Sequence, residues 1–182
     1  MATRWLTATV CLLAMAMIGY AADPVKPIPF GTLKSETPAD WKAEKPANRL
    51  RSHQFKIASG EEGLADAEVI VMPESSSKPD KEFPRWKTQF VLADGMKIDD
   101  IAKETKFEVS GATVHLLDIS GTWKYKERPF DPKSKEETKP EYRVVWGIVI
   151  VKDEATHVRL SGPDKVVAKQ FPAFEKWLKS IK

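Results

Sequence analysis

The chain has 182 residues, of which 42% are hydrophobic and 30% charged, with a formal net charge of +3. That balance excludes a disordered chain and a collagen-type repeat, and a single cysteine excludes a disulfide scaffold. One globular domain remains, of a size that buries roughly 70% of its unfolded surface without staples.

The N-terminus carries the marks of export. Arg4 supplies a short positive region, residues 5–18 form an uncharged apolar run, and Gly19 and Ala21 place small residues before a cut at Ala22. Residues 1–21 therefore read as a signal peptide, which sends the chain to the periplasm or the exterior. An uncleaved anchor is the alternative, but the uncharged stretch 5–22 falls short of the ~20 apolar residues of a usual span. Cys11 lies inside the run, so the mature chain has no thiol for a disulfide, a nucleophile or a cysteine-ligated metal. Val10 before it argues against lipidation.

Residues 22–37 hold Pro24, Pro27 and Pro29 without apolar periodicity and read as an extended tether. The domain then spans 38–182, with Trp41 anchoring its start and a polar loop over 42–48. In 50–58, His53, Phe55 and Ile57 share one face, which predicts a strand. A polar turn leads to a second strand over 65–72, with Ala67, Val69 and Val71 facing inward. Ser75, Ser76 and Ser77 with two prolines mark 73–81 as loop. Phe83, Trp86 and Phe90 at helical spacing predict a short helix over 83–91, and 98–102 is at most one turn.

Residues 106–109 and 113–125 form a hairpin around Gly111. His115, Leu117, Ile119, Trp123 and Tyr125 share parity on its longer strand, with Gly121 in the same row as a bulge or close backbone approach. Residues 126–140 read as a charged loop, the first candidate for partner contact, because loops longer than ~12–15 residues are commonly functional. Residues 142–151 are apolar on both parities and predict a central strand. In 156–161, Val158 and Leu160 face inward and His157 and Arg159 outward. Gly162, Pro163 and Asp164 open a final helix whose stripe runs through Val167, Phe171, Phe174, Leu178 and Ile181, with Trp177 beside it. The stripe keeps phase across Pro172, so one kinked helix is expected.

Strands joined by turns, then a helix, then strands and a helix again, give an α+β fold. A central antiparallel sheet is packed by a mid-chain helix and a C-terminal helix. The spacing of Trp41, Arg49 and Arg51, Arg85-Trp86, Gln89-Phe90, Ser120-Gly121-Thr122-Trp123, Tyr142-Arg143 and Leu160-Ser161-Gly162-Pro163 resembles exported bacterial proteins of unknown function. More distantly it is similar to the PsbP-like fold of photosystem extrinsic proteins. The resemblance spans about 37–182 and implies a sheet between helices and a binding or assembly role. It brings no functional residue with it.

Candidate chemistry is thin. His53, His115 and His157 lie on different strands with no paired spacing, so no metal site is expected. Ser120, His115 and Asp118 suggest a hydrolase, but His115 and Asp118 fall on opposite faces of one strand and no Gly-x-Ser-x-Gly elbow occurs. The acidic pairs Asp99-Asp100, Glu61-Glu62 and Glu136-Glu137 lie in polar stretches, as solvated charge does. Glycine-rich phosphate loops are missing, and the balanced charge argues against nucleic acid. Core packing accounts for tryptophans on periodic stripes. The sharper reading is a ligand groove walled by Trp123 and Tyr125, with Arg143 or Arg159 pairing with an anionic group.

The chain thus reads as an exported, non-catalytic binding or assembly module of the cell envelope. It would have no cofactor or metal, a small ligand or an envelope protein as partner, and membrane contact only through an uncleaved signal. An enzyme of scattered residues and a self-associating structural protein are the alternatives. A deep pocket holding His53 or His115 beside a carboxylate would favour the first; a large exposed apolar patch would favour the second.

Overall fold

The computed structural model describes residues 27–74, 78–127 and 131–182. The segment read as a signal peptide, Cys11, Pro24 and the serine run at 75–77 lie outside them. Among the described residues no helix is long and apolar enough to cross a membrane.

Among the described residues, ten strands and two α-helices follow in order. They are β1 (Ile28–Phe30), β2 (Leu33–Ser35), β3 (Lys42–Glu44), β4 (His53–Ile57), β5 (Ala67–Glu74), α1 (Pro79–Lys87) and β6 (Phe90–Val91), then, after one 3-10 turn, β7 (Ala102–Val109), β8 (Ala112–Lys126), β9 (Glu136–Val151), β10 (Glu154–Pro163) and α2 (Asp164–Lys179). Eight strands form one antiparallel sheet in the order β3-β4-β5-β10-β9-β8, with β6 and β7 both on the outer edge of β8. The α+β architecture expected from the sequence is observed, with β9 central as its two apolar faces require.

The two helices cover opposite faces. On the α2 face, Val69, Leu116, Val145, Val149, Val158 and Leu160 pack under Val167, Phe174, Trp177 and Leu178. On the α1 face, Phe83 and Trp86 pack over Leu117, Ile119, Val144, Trp146 and Ile148. This overturns the outward placement of His157: it is 4% exposed and lies under Trp86, because β10 is covered on both sides.

Several boundaries differ from the sequence reading, and four of them have a plain physical reason. Residues 27–37 are not a tether. Ile28 and Phe30 alternate with prolines and are fully buried, and β1–β2 is an isolated hairpin whose ladder tolerates Pro29 on an exposed position. The hairpin is tied to the chain end by reciprocal backbone bonds between Lys34 and Lys182. Residues 42–44 are a short, fully exposed edge strand rather than loop. Helix α1 begins at Pro79, where a missing N–H costs nothing, and ends before Phe90, which belongs to β6. The charged loop is shorter than expected, since residues 136–139 continue β9 opposite 123–126.

A bulge makes that continuation useful. Between Gly121 and Trp123 on β8, β9 carries one extra residue, with Glu141 at φ 52°. The insertion reverses the facing of β9 beyond it. Lys139 thereby comes opposite Trp123 and lays its Nζ 4.1 Å from the Tyr125 ring centroid.

Gly162 lies within β10, one residue before its end, rather than opening α2. A Cβ there would stand 2.9 Å from both Cα and Cβ of Ala67. A backbone atom cannot swing aside, so Gly162→Ala is expected to cost about 2 kcal/mol through overpacking. The change should appear as a lower urea midpoint at unchanged m-value.

Candidate functional site

Between α1 and the sheet lies a cavity of about 680 Å³, within the 300–1,000 Å³ range of small-molecule sites. Its floor follows from register. Ile70, Arg159 and Trp146 are aligned partners across β5, β10 and β9, and Met72 and His157 are aligned one row further along. Trp123 of β8 completes the floor. The walls are the C-terminal end of α1 through Gln89, the segment 48–51 before β4, and the ends of β8 and β9.

The aromatic members are locked. Trp86 stacks on Trp146 at 5.6 Å and 14°, and Phe90 meets Trp146 edge-on. Trp123 is buried, its indole Nε1 donating to Gln89 Oε1 at 3.1 Å. Tyr125 lies 4.9 Å from the Trp123 centroid and Tyr142 stacks on it at 5.9 Å. Burial raises the Tyr142 hydroxyl above its ordinary value, so it remains a neutral hydrogen-bonding group.

The polar members converge on one carboxylate. Arg51 Nη1 donates to Glu68 Oε1 at 2.7 Å and to Gln54 Oε1 at 2.9 Å. Arg159 Nη2 donates to Glu68 Oε2 at 3.1 Å, and its guanidinium lies 5.1 Å from the Trp123 centroid. Desolvation lowers Arg159 from its ordinary value, with Glu68 opposing the shift and Arg51 adding to it. Its Nε is buried without a hydrogen-bond partner among the described residues.

The four residues expected at a groove separate by face. Trp123 and Arg159 line the cavity, and Tyr125 braces Trp123. Arg143 is on the α2 face, where its Nε and Nη2 donate to Asp118 at 2.8 and 2.6 Å and its guanidinium covers Phe171. The hydrogen bond to Asp118 raises Arg143 above its ordinary value. Ser120 donates to Asp164 Oδ1 at 2.8 Å, so Ser120, Asp118 and His115 are not brought together. The residues that sequence reasoning missed are Arg51, Glu68, Gln89, Trp86 and Trp146.

The histidines carry a pH consequence. Burial holds both His53 and His115 below their ordinary value, with Lys106 adding to the effect at His115. Their unfolded values near 6.5 lie above the folded ones, so the unfolded chain binds these protons first as pH falls. Their contribution is full above about pH 7 and is lost as pH drops through the unfolded value towards the folded one. Melting temperature should therefore decline as pH falls below about 7, and His115→Gln should flatten part of that slope.

No protein-family model and no curated protein matches the sequence. Solved structures do. A protein of unknown function from Pseudomonas aeruginosa is similar at 12% identity over 85% of this chain and 94% of that one, with a TM-score of 0.49. The solution structure of cyanobacterial PsbP from Synechocystis sp. PCC 6803 is similar at 11% identity over 92% of this chain and 98% of that one, with a TM-score of 0.48. No residue role passes from either.

Proposed function

We propose that the chain is an exported, non-catalytic binding module of the cell envelope, and that the cavity between α1 and the sheet is its small-ligand site. The observation that carries the reading is a ligand-sized cavity whose apolar and aromatic walls surround two arginines sharing one carboxylate. Such a combination of apolar lining and few oriented polar groups is how small-molecule sites are built. Export rests on the residues of 1–21, and N-terminal sequencing of the protein from its own envelope should begin at Ala22.

Native mass spectrometry of protein purified gently from that fraction tests the binding role. The expected result is a discrete extra mass whose released compound raises the melting temperature on re-addition, since a ligand of the folded state stabilises it by RT ln(1 + [L]/Kd). A clean apo mass, together with no stabilisation by extracted envelope metabolites, would overturn the small-ligand role.

A further inference from the structure

The cavity is electrostatically one-sided. Five described side chains that line it are cationic (Arg51, Arg85, Lys124, Lys126 and Arg159) and two are anionic. Glu68 sits behind the lining as the shared partner of Arg51 and Arg159, while Arg85 pairs with Glu82 and Lys126 with Glu136. Setting these three carboxylates and Glu127 of the lining against the five cations leaves one positive charge in excess among the described residues. The excess is placed deep, where Arg51 and Arg159 expose only 5% and 12% of their side chains. A buried cation without its own anion is costly, and a ligand anion relieves that cost.

Resting on the reading of the cavity as a ligand site, we infer that it selects an amphiphilic monocarboxylate. The carboxylate sits on Arg159 and Arg51 beside Glu68, and the apolar body lies along Ile70, Met72 and Leu50.

The head group follows from what the arginines already hold. Glu68 shows that a planar carboxylate fits between the two guanidinium groups, one oxygen to each. Arg159 has a donor to spare in its Nε, buried with no hydrogen-bond partner among the described residues, and its guanidinium lies beside the Trp123 ring without using a donor. One excess charge matches a monoanion, whereas a phosphate monoester brings nearly two. The body follows from Ile70, Met72 and Pro73 on the floor and from Leu50 at the cavity wall, half-exposed at 51%. An apolar body lying on the floor would cover Leu50 as well, as apolar walls of a small-molecule site do.

Calorimetric titration of the mature protein with matched chains, each below its micellar concentration, tests this. The probes are dodecanoate, dodecyl phosphate, dodecanol and dodecyltrimethylammonium. Dodecanoate is expected to bind about tenfold tighter than dodecanol, the scale of one charge-assisted hydrogen-bonded pair, and the cation not at all. Arg159→Gln should weaken dodecanoate about tenfold and leave dodecanol unchanged. Glu68→Gln removes the competing carboxylate and should tighten dodecanoate. Equal affinity for dodecanoate and dodecanol would overturn the carboxylate selection while the cavity stood as a ligand site. Tighter dodecyl phosphate would reassign the head group and overturn the proposal in that form. No binding of any probe would remove both the selection and the ligand site. If Arg159→Gln fails to fold, Glu68→Gln decides: an unchanged dodecanoate affinity there sinks the proposal.

Discussion

Phe174→Ala is expected to destabilise the protein by about 3–5 kcal/mol, the range for removing a buried ring. Phe174 is fully buried at the centre of the α2 face. It stacks on Trp41 at 6.3 Å and lies 5.8 Å from Trp177, while Phe30 and Phe55 hold those rings from the far side. Rings held from several directions cannot collapse into the space left behind, so the cavity term adds to the lost transfer term. For a domain of this size the change corresponds to a melting temperature lower by roughly 10 °C. Phe174→Leu keeps most of the volume and should lose less than half as much. A Phe174→Ala loss under about 1 kcal/mol would show that the cluster repacks freely.

That ring cluster also shows what was legible in the sequence. The α2 stripe through Val167, Phe174 and Leu178 was readable because one amphipathic period accounts for it, and Trp41 was readable as an anchor because a large aromatic at the domain entry seeks burial. So was the central strand, since an apolar run on both parities has to be covered twice. The β1–β2 hairpin was not. Ile28 and Phe30 are separated by a proline, and the local proline signal outweighs two apolar residues until α2 and the chain end are present to bury them. The start of α1 was lost to a similar conflict, because Pro79 reads as a breaker unless the first helical turn is already known.

The site was half legible. Trp123 and Arg159 were named from parity and residue type, and both line the cavity. Arg143 follows the same reasoning yet sits on the other face, bonded to Asp118, because strand parity separates neighbours that chain distance brings close. Glu68 was passed over as the polar side of a half-buried strand. A signal existed: Ile70 and Met72 lie on the same side as Glu68, so that side of β5 is itself apolar over two positions and needs a cover. Parity opposite Val158 and Leu160 sends His157 and Arg159 outward, although the doubly apolar β9 beside them implies two covered faces. Arg51 belongs to a loop and reaches Glu68 across the β4–β5 pair, a contact that no local pattern encodes.

The stability of the site itself supplies the second large effect. Glu68→Ala is expected to cost about 3 kcal/mol, the low end for breaking a buried pair, because Glu68 is 30% exposed and partly screened. The loss comes less from the absent bonds than from what stays behind. Arg51 and Arg159 would face each other with side chains 5% and 12% exposed and no carboxylate between them. Removing one of those charges should therefore restore stability. Glu68→Ala with Arg159→Met is expected to be more stable than Glu68→Ala alone, by about 1 kcal/mol or more, since methionine fills apolar space beside Trp123. Urea unfolding of the two single variants and the double variant completes the cycle. Additive losses would mean that the arginines do not repel and that Glu68 serves each independently. A gain in the double variant would identify Glu68 as the counter-ion that keeps two buried cations compatible with the fold. The cavity's anion preference would then have a structural cause, since the same carboxylate that permits the arginines leaves them one charge short.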